Sequence, residues 1–292
     1  MSSQPASKQS IIIGVLSGAL VLSLGSFALY YFQSQSLPQQ QQANIALAEK
    51  VVEEPKALQF PSNETALKEL FGVSDPTGQV KTAPDQLTTF WFDQSTKLGA
   101  DNLYVKFFAT QNLDESGQPI DSHATAVEVG AITYKQNSSQ WEVISTQLNF
   151  GAAGSSGKVD DEVKPEILQL SPTSFAVMVK ASGGMGGWFD EGKTVFVFAQ
   201  NAWHDMGYVK TGGDNSGSCD ETPPTPDAYA MGPCYSYKGT ISVVNGSTSE
   251  YPDLLITRTG TESKEHRGSL IPAKNVTYIF KDGQYINPNE FN

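Results

Sequence analysis

The chain has 292 residues and a formal net charge of −12, with 39% hydrophobic residues, 17% charged residues and 26 glycines. That length holds one or two domains with a real core. An acidic chain with no basic run lacks the electrostatic footing for nucleic acid, and low charge with abundant glycine points to a β-rich, loop-rich secreted domain rather than a helical cytosolic enzyme.

Residues 1–10 carry one charged side chain, Lys8. Residues 11–32, IIIGVLSGALVLSLGSFALYYF, carry none. As a helix they span roughly 33 Å, which matches a hydrocarbon core of about 30 Å. Tyr30, Tyr31 and Phe32 close the run where an interfacial aromatic belt belongs. A cleaved signal peptide has a shorter apolar region, about 7–15 residues, followed by a small-x-small site. The first such site, Ser34-Gln35-Ser36, lies beyond the aromatic cluster. The expectation is therefore a retained transmembrane helix over 11–32. Glu49, Glu53 and Glu54 follow the run, with Lys50 among them. The positive-inside rule then leaves residues 1–10 in the cytoplasm and residues 33–292 outside. This predicts a single-pass protein of the inner (cytoplasmic) membrane, with its C-terminal domain in a bacterial periplasm or outside.

Residues 33–57, QSQSLPQQQQANIALAEKVVEEPKA, form a Gln-rich linker that cannot bury enough apolar surface to fold alone. A short helix over Asn44 to Glu54 is compatible with it. The domain proper is expected over 58–292. Ser62 or Asn63 can cap a second short helix through ETALKELF, stopped by Gly72.

From about Leu103 the texture becomes that of strands: LYVKFFATQ, AVEVGAITYK and WEVISTQLNF, with NSSQ (137–140) as a hairpin turn between the last two. SFAVMVKA, KTVFVFAQ, ISVVN, DLLITRT and NVTYIF follow, the last leading through Lys281-Asp282-Gly283 into QYI. The absence of βαβ alternation, heptads and a fixed repeat period predicts a mainly β, antiparallel meander, packed as a sandwich or as curled sheets.

The stretch YPDLLITRTG, from Tyr251, and the later TYIFKDGQYI together resemble FG-GAP-type β-repeats of secreted proteins over residues 251–286. The D-x-D-x-D-G calcium loop of those repeats is missing here. The resemblance implies a β-hairpin over Leu254–Ile286 and no calcium site.

Several motifs fail on their chemistry. GAAGSSGKV (151–159) looks like a phosphate loop, but Ala152 and Val159 stand where Gly and Ser or Thr are needed. It reads as a flexible connector. Ser155-Ser156-Gly157-Lys158 fits S-x-x-K without its S-D-N and K-T-G companions. His123, His204 and His266 are far apart in sequence. Asp205 follows His204 directly, so on a strand the two point to opposite faces.

SGGMGGWFDEG (182–192) is the most unusual stretch. It reads as a long hairpin loop, its glycines allowing positive φ, with Trp188 folding back on the sheet. The functional reading makes Met185, Trp188 and Phe189 an aromatic anchor for a protein or glycan partner. Cys219 and Cys234 are the only cysteines. Asp214, Asn215, Asp220, Glu221 and Asp227 around them do not match calcium-loop spacing, and two thiolates without a nearby His pair make no zinc site. In an oxidising compartment two cysteines pair, so a structural disulfide is expected.

No catalytic group, metal or cofactor follows from these residues. The expected function is a membrane-anchored, non-enzymatic binding or accessory protein of the cell envelope. The alternative is a tethered envelope hydrolase whose site assembles only in the fold.

Overall fold

The computed structural model describes residues 58–289, apart from 123–124, 161, 163, 220–231, 245, 247–248 and 264–268. The expected membrane helix over 11–32, the short helix over 44–54, His123 and His266 lie outside the described residues. Among those described, no helix is long and apolar enough to cross a membrane.

The one described helix, α1 (Asn63–Phe71), begins where its capping residue dictates. The Ser62 hydroxyl accepts a hydrogen bond from the Thr65 N–H, and Gly72 ends the helix in the left-handed region at φ 73°. Five strands follow and form one antiparallel sheet in sequence order: β1 (Gln79–Ala83), β2 (Gln86–Leu98), β3 (Asp101–Asn112), β4 (Val127–Gln136) and β5 (Trp141–Ala153). The first two were not legible as strands, because β2 has weak alternation and most of its residues are only half-buried.

The second sheet is built the same way. Strands β6 (Glu166–Ser171), β7 (Ser174–Met185), β8 (Trp188–Ala199), β9 (Ala202–Asp214), β10 (Ser236–Val243), β11 (Leu254–Ser263), β13 (Val276–Lys281) and β14 (Gln284–Ile286) lie side by side in chain order. The short β12 (Leu270–Pro272) pairs with β11 off this path. Among the described residues every pairing is antiparallel, and each sheet runs in chain order as a meander, with β12 to one side. Over 254–286 the structure is richer than one hairpin: Leu254 pairs with Tyr278 across β11 and β13, and β14 adds a further strand.

Three apolar clusters hold these elements. Leu103, Val105 and Phe107 of β3 meet Phe175, Val177, Phe196 and Phe198 of the second sheet. Trp203 sits at the centre, its ring centroid 4.9 Å from that of Phe107 and 5.2 Å from that of Phe198. Its indole N–H donates to the Thr133 hydroxyl across the gap between the sheets. The opposite face of β3 and β4 is covered by α1, through Ala66, Leu67 and Leu70 against Tyr104, Phe108, Ile132 and Tyr134. That is why LYVKFFAT runs buried without alternation: both of its faces are covered. The third cluster forms because the second sheet curls. Leu254, Ile256, Tyr278 and Tyr285 return over Met178, Val195, Val197 and Val209.

Candidate functional site

The glycine-rich segment 182–192 is not a long loop. Strands β7 and β8 run straight through it, paired residue for residue from Ser174↔Ala199 to Met185↔Trp188. Only Gly186 and Gly187 turn the chain, at φ 64° and 85°. A two-residue turn of this hand needs positive φ at both positions, which glycine supplies without strain. The Met-Gly-Gly-Trp spacing carries that signal, since two strand-like runs separated by Gly-Gly specify such a turn.

Strand alternation then sorts the three expected binding residues. Met185 and Trp188 pair directly and share a face. Phe189 lies on the other face, its ring against Gly184, where a Cβ would come within 2.7 Å of the ring. Met185 is 88% exposed and Trp188 37% exposed.

On the Met185–Trp188 side lies a cleft of about 680 Å³. Its chemistry comes from Trp188 and Asp190 of β8, Tyr208 and Lys210 of β9, and Tyr235 just before β10. Thr194 pairs with Tyr208 and Gly192 with Lys210, which brings these side chains to one surface. Gly192 allows the Tyr208 ring to lie flat on the strand, because a Cβ there would come within 2.5 Å of it. The Tyr208 side chain nonetheless stays 40% exposed. The Lys210 ammonium donates to the Asp190 carboxylate at 2.5 Å.

Electrostatics follow from this packing. Burial alone would lower the Lys210 pKa, but hydrogen bonds to Asp190 and Tyr237 outweigh it and raise it, so Lys210 stays cationic. Burial first, and the Asp190 charge second, push the Tyr208 phenol well above its ordinary value, so it keeps its proton and can donate. Burial likewise raises the Tyr235 phenol. A second cleft of about 480 Å³ flanks the opposite side of the hairpin, beside Phe189, Glu191 and Lys238.

The tip is pinned by the segment that carries the cysteines. The Gly217 N–H donates to the Gly187 carbonyl at 3.1 Å. The approach is so close that a Cβ on Gly187 would fall 2.4 Å from the Gly217 carbonyl carbon. Asn215, 1% exposed, ties the two feet of the loop: its amide donates to the Pro233 carbonyl, and its oxygen accepts from the Tyr235 N–H. Cys219 and Cys234 are joined as a disulfide with a Cα–Cα separation of 4.8 Å. Asn215 is thus occupied in holding the loop, and the Asp214 carboxylate accepts from the Ser216 N–H and hydroxyl. Among the described residues no group of three His, Cys, Asp or Glu gathers to hold a metal.

The other candidate motifs are structural where they are described. Residues 151–153 end β5, and Ser155 and Lys158 form a bridge around Ser156 and Gly157, both at positive φ, so this stretch is a strand end and an ordered tight turn, not a loose connector. Its Gly157 N–H donates to the Thr125 carbonyl. His204 sits edge-on to Tyr251, with ring centroids 6.3 Å apart. The Asp205 carboxylate turns instead to the Gly207 and Ala152 N–H groups, so the two do not form an acid–base pair. Sequence reasoning missed Asp190, Tyr208, Lys210 and Tyr235. Their convergence depends on the pairing of β8 with β9, and β9 was not legible as a strand.

No protein-family model, no curated protein and no solved structure matches this chain.

Proposed function

We propose that the chain is a single-pass, membrane-anchored binding or accessory protein of the bacterial cell envelope, non-enzymatic, with residues 33–292 in the periplasm or outside. The observation that carries the binding role is the cleft at the β7–β8 tip. A strand hairpin pinned at its end presents Met185 and Trp188 to solvent beside Tyr208, Asp190 and Lys210. Large rigid aromatics held on ordered strands supply contact area at low entropic cost. The uncharged run 11–32 supports the anchor. The Cys219–Cys234 disulfide supports an oxidising compartment.

Two measurements on cells test this. A cysteine placed in 33–57 is expected to react with a membrane-impermeant maleimide in spheroplasts; protection from the reagent would sink the orientation. A photo-crosslinking residue in place of Met185 is expected to form an adduct with an envelope component. The same residue in place of the exposed Leu148, on the first sheet, is expected to form none. Equal patterns at the two positions would remove the cleft as the binding site.

A further inference from the structure

We propose that Lys106 and Asn63 join covalently, as an amide between the lysine Nζ and the asparagine Cγ, with Asp93 moving the protons and ammonia leaving. The inference concerns the first sheet and does not depend on the binding role of the cleft. Three observations lead to it.

The first is the setting of the lysine. Lys106 lies in the middle of β3 and is 3% exposed. Its nitrogen is 4.8 Å from the centroid of the Phe90 ring and 5.3 Å from that of the Tyr104 ring. Burial penalises the ammonium more than Asp93 favours it, so the Lys106 pKa is lowered. A lysine must shed a proton before it attacks a carbonyl, and a desolvated, apolar site is where it does so.

The second is which neighbour lies nearest. Nζ is 2.6 Å from the Asn63 Oδ1 and 3.3 Å from the Asp93 Oδ2. A lysine held simply as a cation draws the carboxylate closest, at about 2.7–2.9 Å. Here the neutral carboxamide is the nearer group. Its C=O bond is about 1.23 Å long, so Cγ lies no more than about 3.8 Å from Nζ. Reacting atoms in a near-attack geometry stand about 3–3.5 Å apart. A small turn of the lysine therefore carries Nζ from the oxygen to the face of the carbon. Holding the two groups this way replaces the encounter that makes amide exchange slow in solution.

The third is a base beside the same nitrogen. Asp93 Oδ2 contacts Nζ, and the Tyr104 hydroxyl donates to that oxygen at 2.7 Å, which orients the carboxylate. The step then balances within three side chains. Asp93 takes a proton from the ammonium, and the freed amine forms the Nζ–Cγ bond. The Cγ–Nδ2 bond breaks as Asp93 passes that proton to Nδ2. A second proton leaves the attacking nitrogen by way of Asp93 and departs with the ammonia as an ammonium ion. One ammonium and one carboxamide become one amide and one ammonium, with no oxidant, cofactor or second chain. Asn63 is partly exposed, so the leaving group has an exit.

The bond would fasten the first residue of α1 to β3, which pairs with β2 on one side and β4 on the other. The described chain enters the domain just before α1. A pull from the preceding residues would then fall on the sheet and not on the helix alone.

The test is mass spectrometry of the full chain, purified in mild detergent, then denatured and reduced. The native chain is expected to weigh about 17 Da less than its sequence requires, the mass of one ammonia. Its peptide map is expected to hold one branched species containing both Asn63 and Lys106. Asn63→Ala and Asp93→Ala are each expected to keep the full sequence mass. A native chain of full mass would overturn the proposal. So would a loss of that size confined to one linear peptide, as ring closure at Asn245-Gly246 would give, or a folded Asp93→Ala chain joined as completely as the native one. The native peptide map decides the matter even where a variant fails to fold. Stability is not the readout, because removing Asp93 also breaks an ion pair.

Discussion

Two lysine–aspartate pairs, each beside aromatic rings, occupy opposite fortunes in this molecule. On the first sheet, Lys106 is 3% exposed beneath α1. It donates to the Asn63 side chain at 2.6 Å and to Asp93 at 3.3 Å, and lies 4.8 Å from the centroid of the Phe90 ring. On the second sheet, Lys210 pairs with Asp190 in an open cleft. Burial lowers the Lys106 pKa in spite of Asp93, whereas contacts with Asp190 and Tyr237 overcome burial at Lys210 and raise it. The same two residue types thus make a clamp in one place and a solvent-facing pair in the other. The deciding difference is a covering helix: α1 closes the outer face of β3 and β4, and nothing among the described residues closes the hairpin tip in the same way.

The largest effect that would break this contrast acts on the cleft side. Replacing Cys219 and Cys234 together by Ser is expected to destabilise the domain by about 3 kcal/mol, from the entropy of reopening the loop. The loss should be read in the cleft first, as loosened Tyr235 and Gly187–Gly217 contacts. Amide exchange that rises at β3 and β4 as much as at the tip would show instead that the loop supports the whole fold.

Next comes the clamp. Asp93→Ala leaves a buried ammonium with its Asn63 bond alone and also strips the Tyr104 hydroxyl of its acceptor. Because Asp93 is itself partly exposed, the expected cost is about 2 kcal/mol, below the range for fully buried pairs. Asp190→Asn, its counterpart, should cost less than about 1 kcal/mol, as exposed pairs do. Equal shifts in the denaturation midpoint would erase the distinction between clamp and surface.

An effect smaller than that of Asp93→Ala sharpens the role of α1. Tyr134 donates to Glu69 of the helix at 2.6 Å, and burial, with Glu69 second, raises its pKa far above the ordinary 10.0. A phenol whose folded value lies above its unfolded value contributes stability that is complete below about pH 10 and is lost as pH rises further. Tyr134→Phe is expected to cost about 1 kcal/mol at neutral pH and to flatten the fall in stability above pH 10. An unchanged alkaline slope would assign that fall to the other buried tyrosines.

Legibility differed by element, for physical reasons. Strands buried on one or both faces, such as β3, β4 and the C-terminal half of β8, carry dense Val, Ile and Phe and are readable, as are the Ser62 cap and the Gly72 stop. Strand β9, AWHDMGYVKTGGD, was not, because its residues mix core, cleft and turn duties within one strand. With β9 unseen, the cleft could not be assembled: Trp188 was singled out, but Tyr208 and Lys210 reach it only through the register of β8 on β9. Read as a loop, the segment groups Phe189 with Trp188; as a strand, it sends these adjacent residues to opposite faces.

By itself, then, the amino-acid sequence determined the β class, the meander order, the capped helix and the pairing of two lone cysteines, since each depends on local pattern or on a unique partner. Only the tertiary structure decided that the second sheet curls back on itself, that Lys106 is locked under a helix, and that Trp188, Tyr208, Asp190 and Lys210 share one surface. Those outcomes depend on strand register and on which face another element covers, and both are set by contacts between residues distant in the chain.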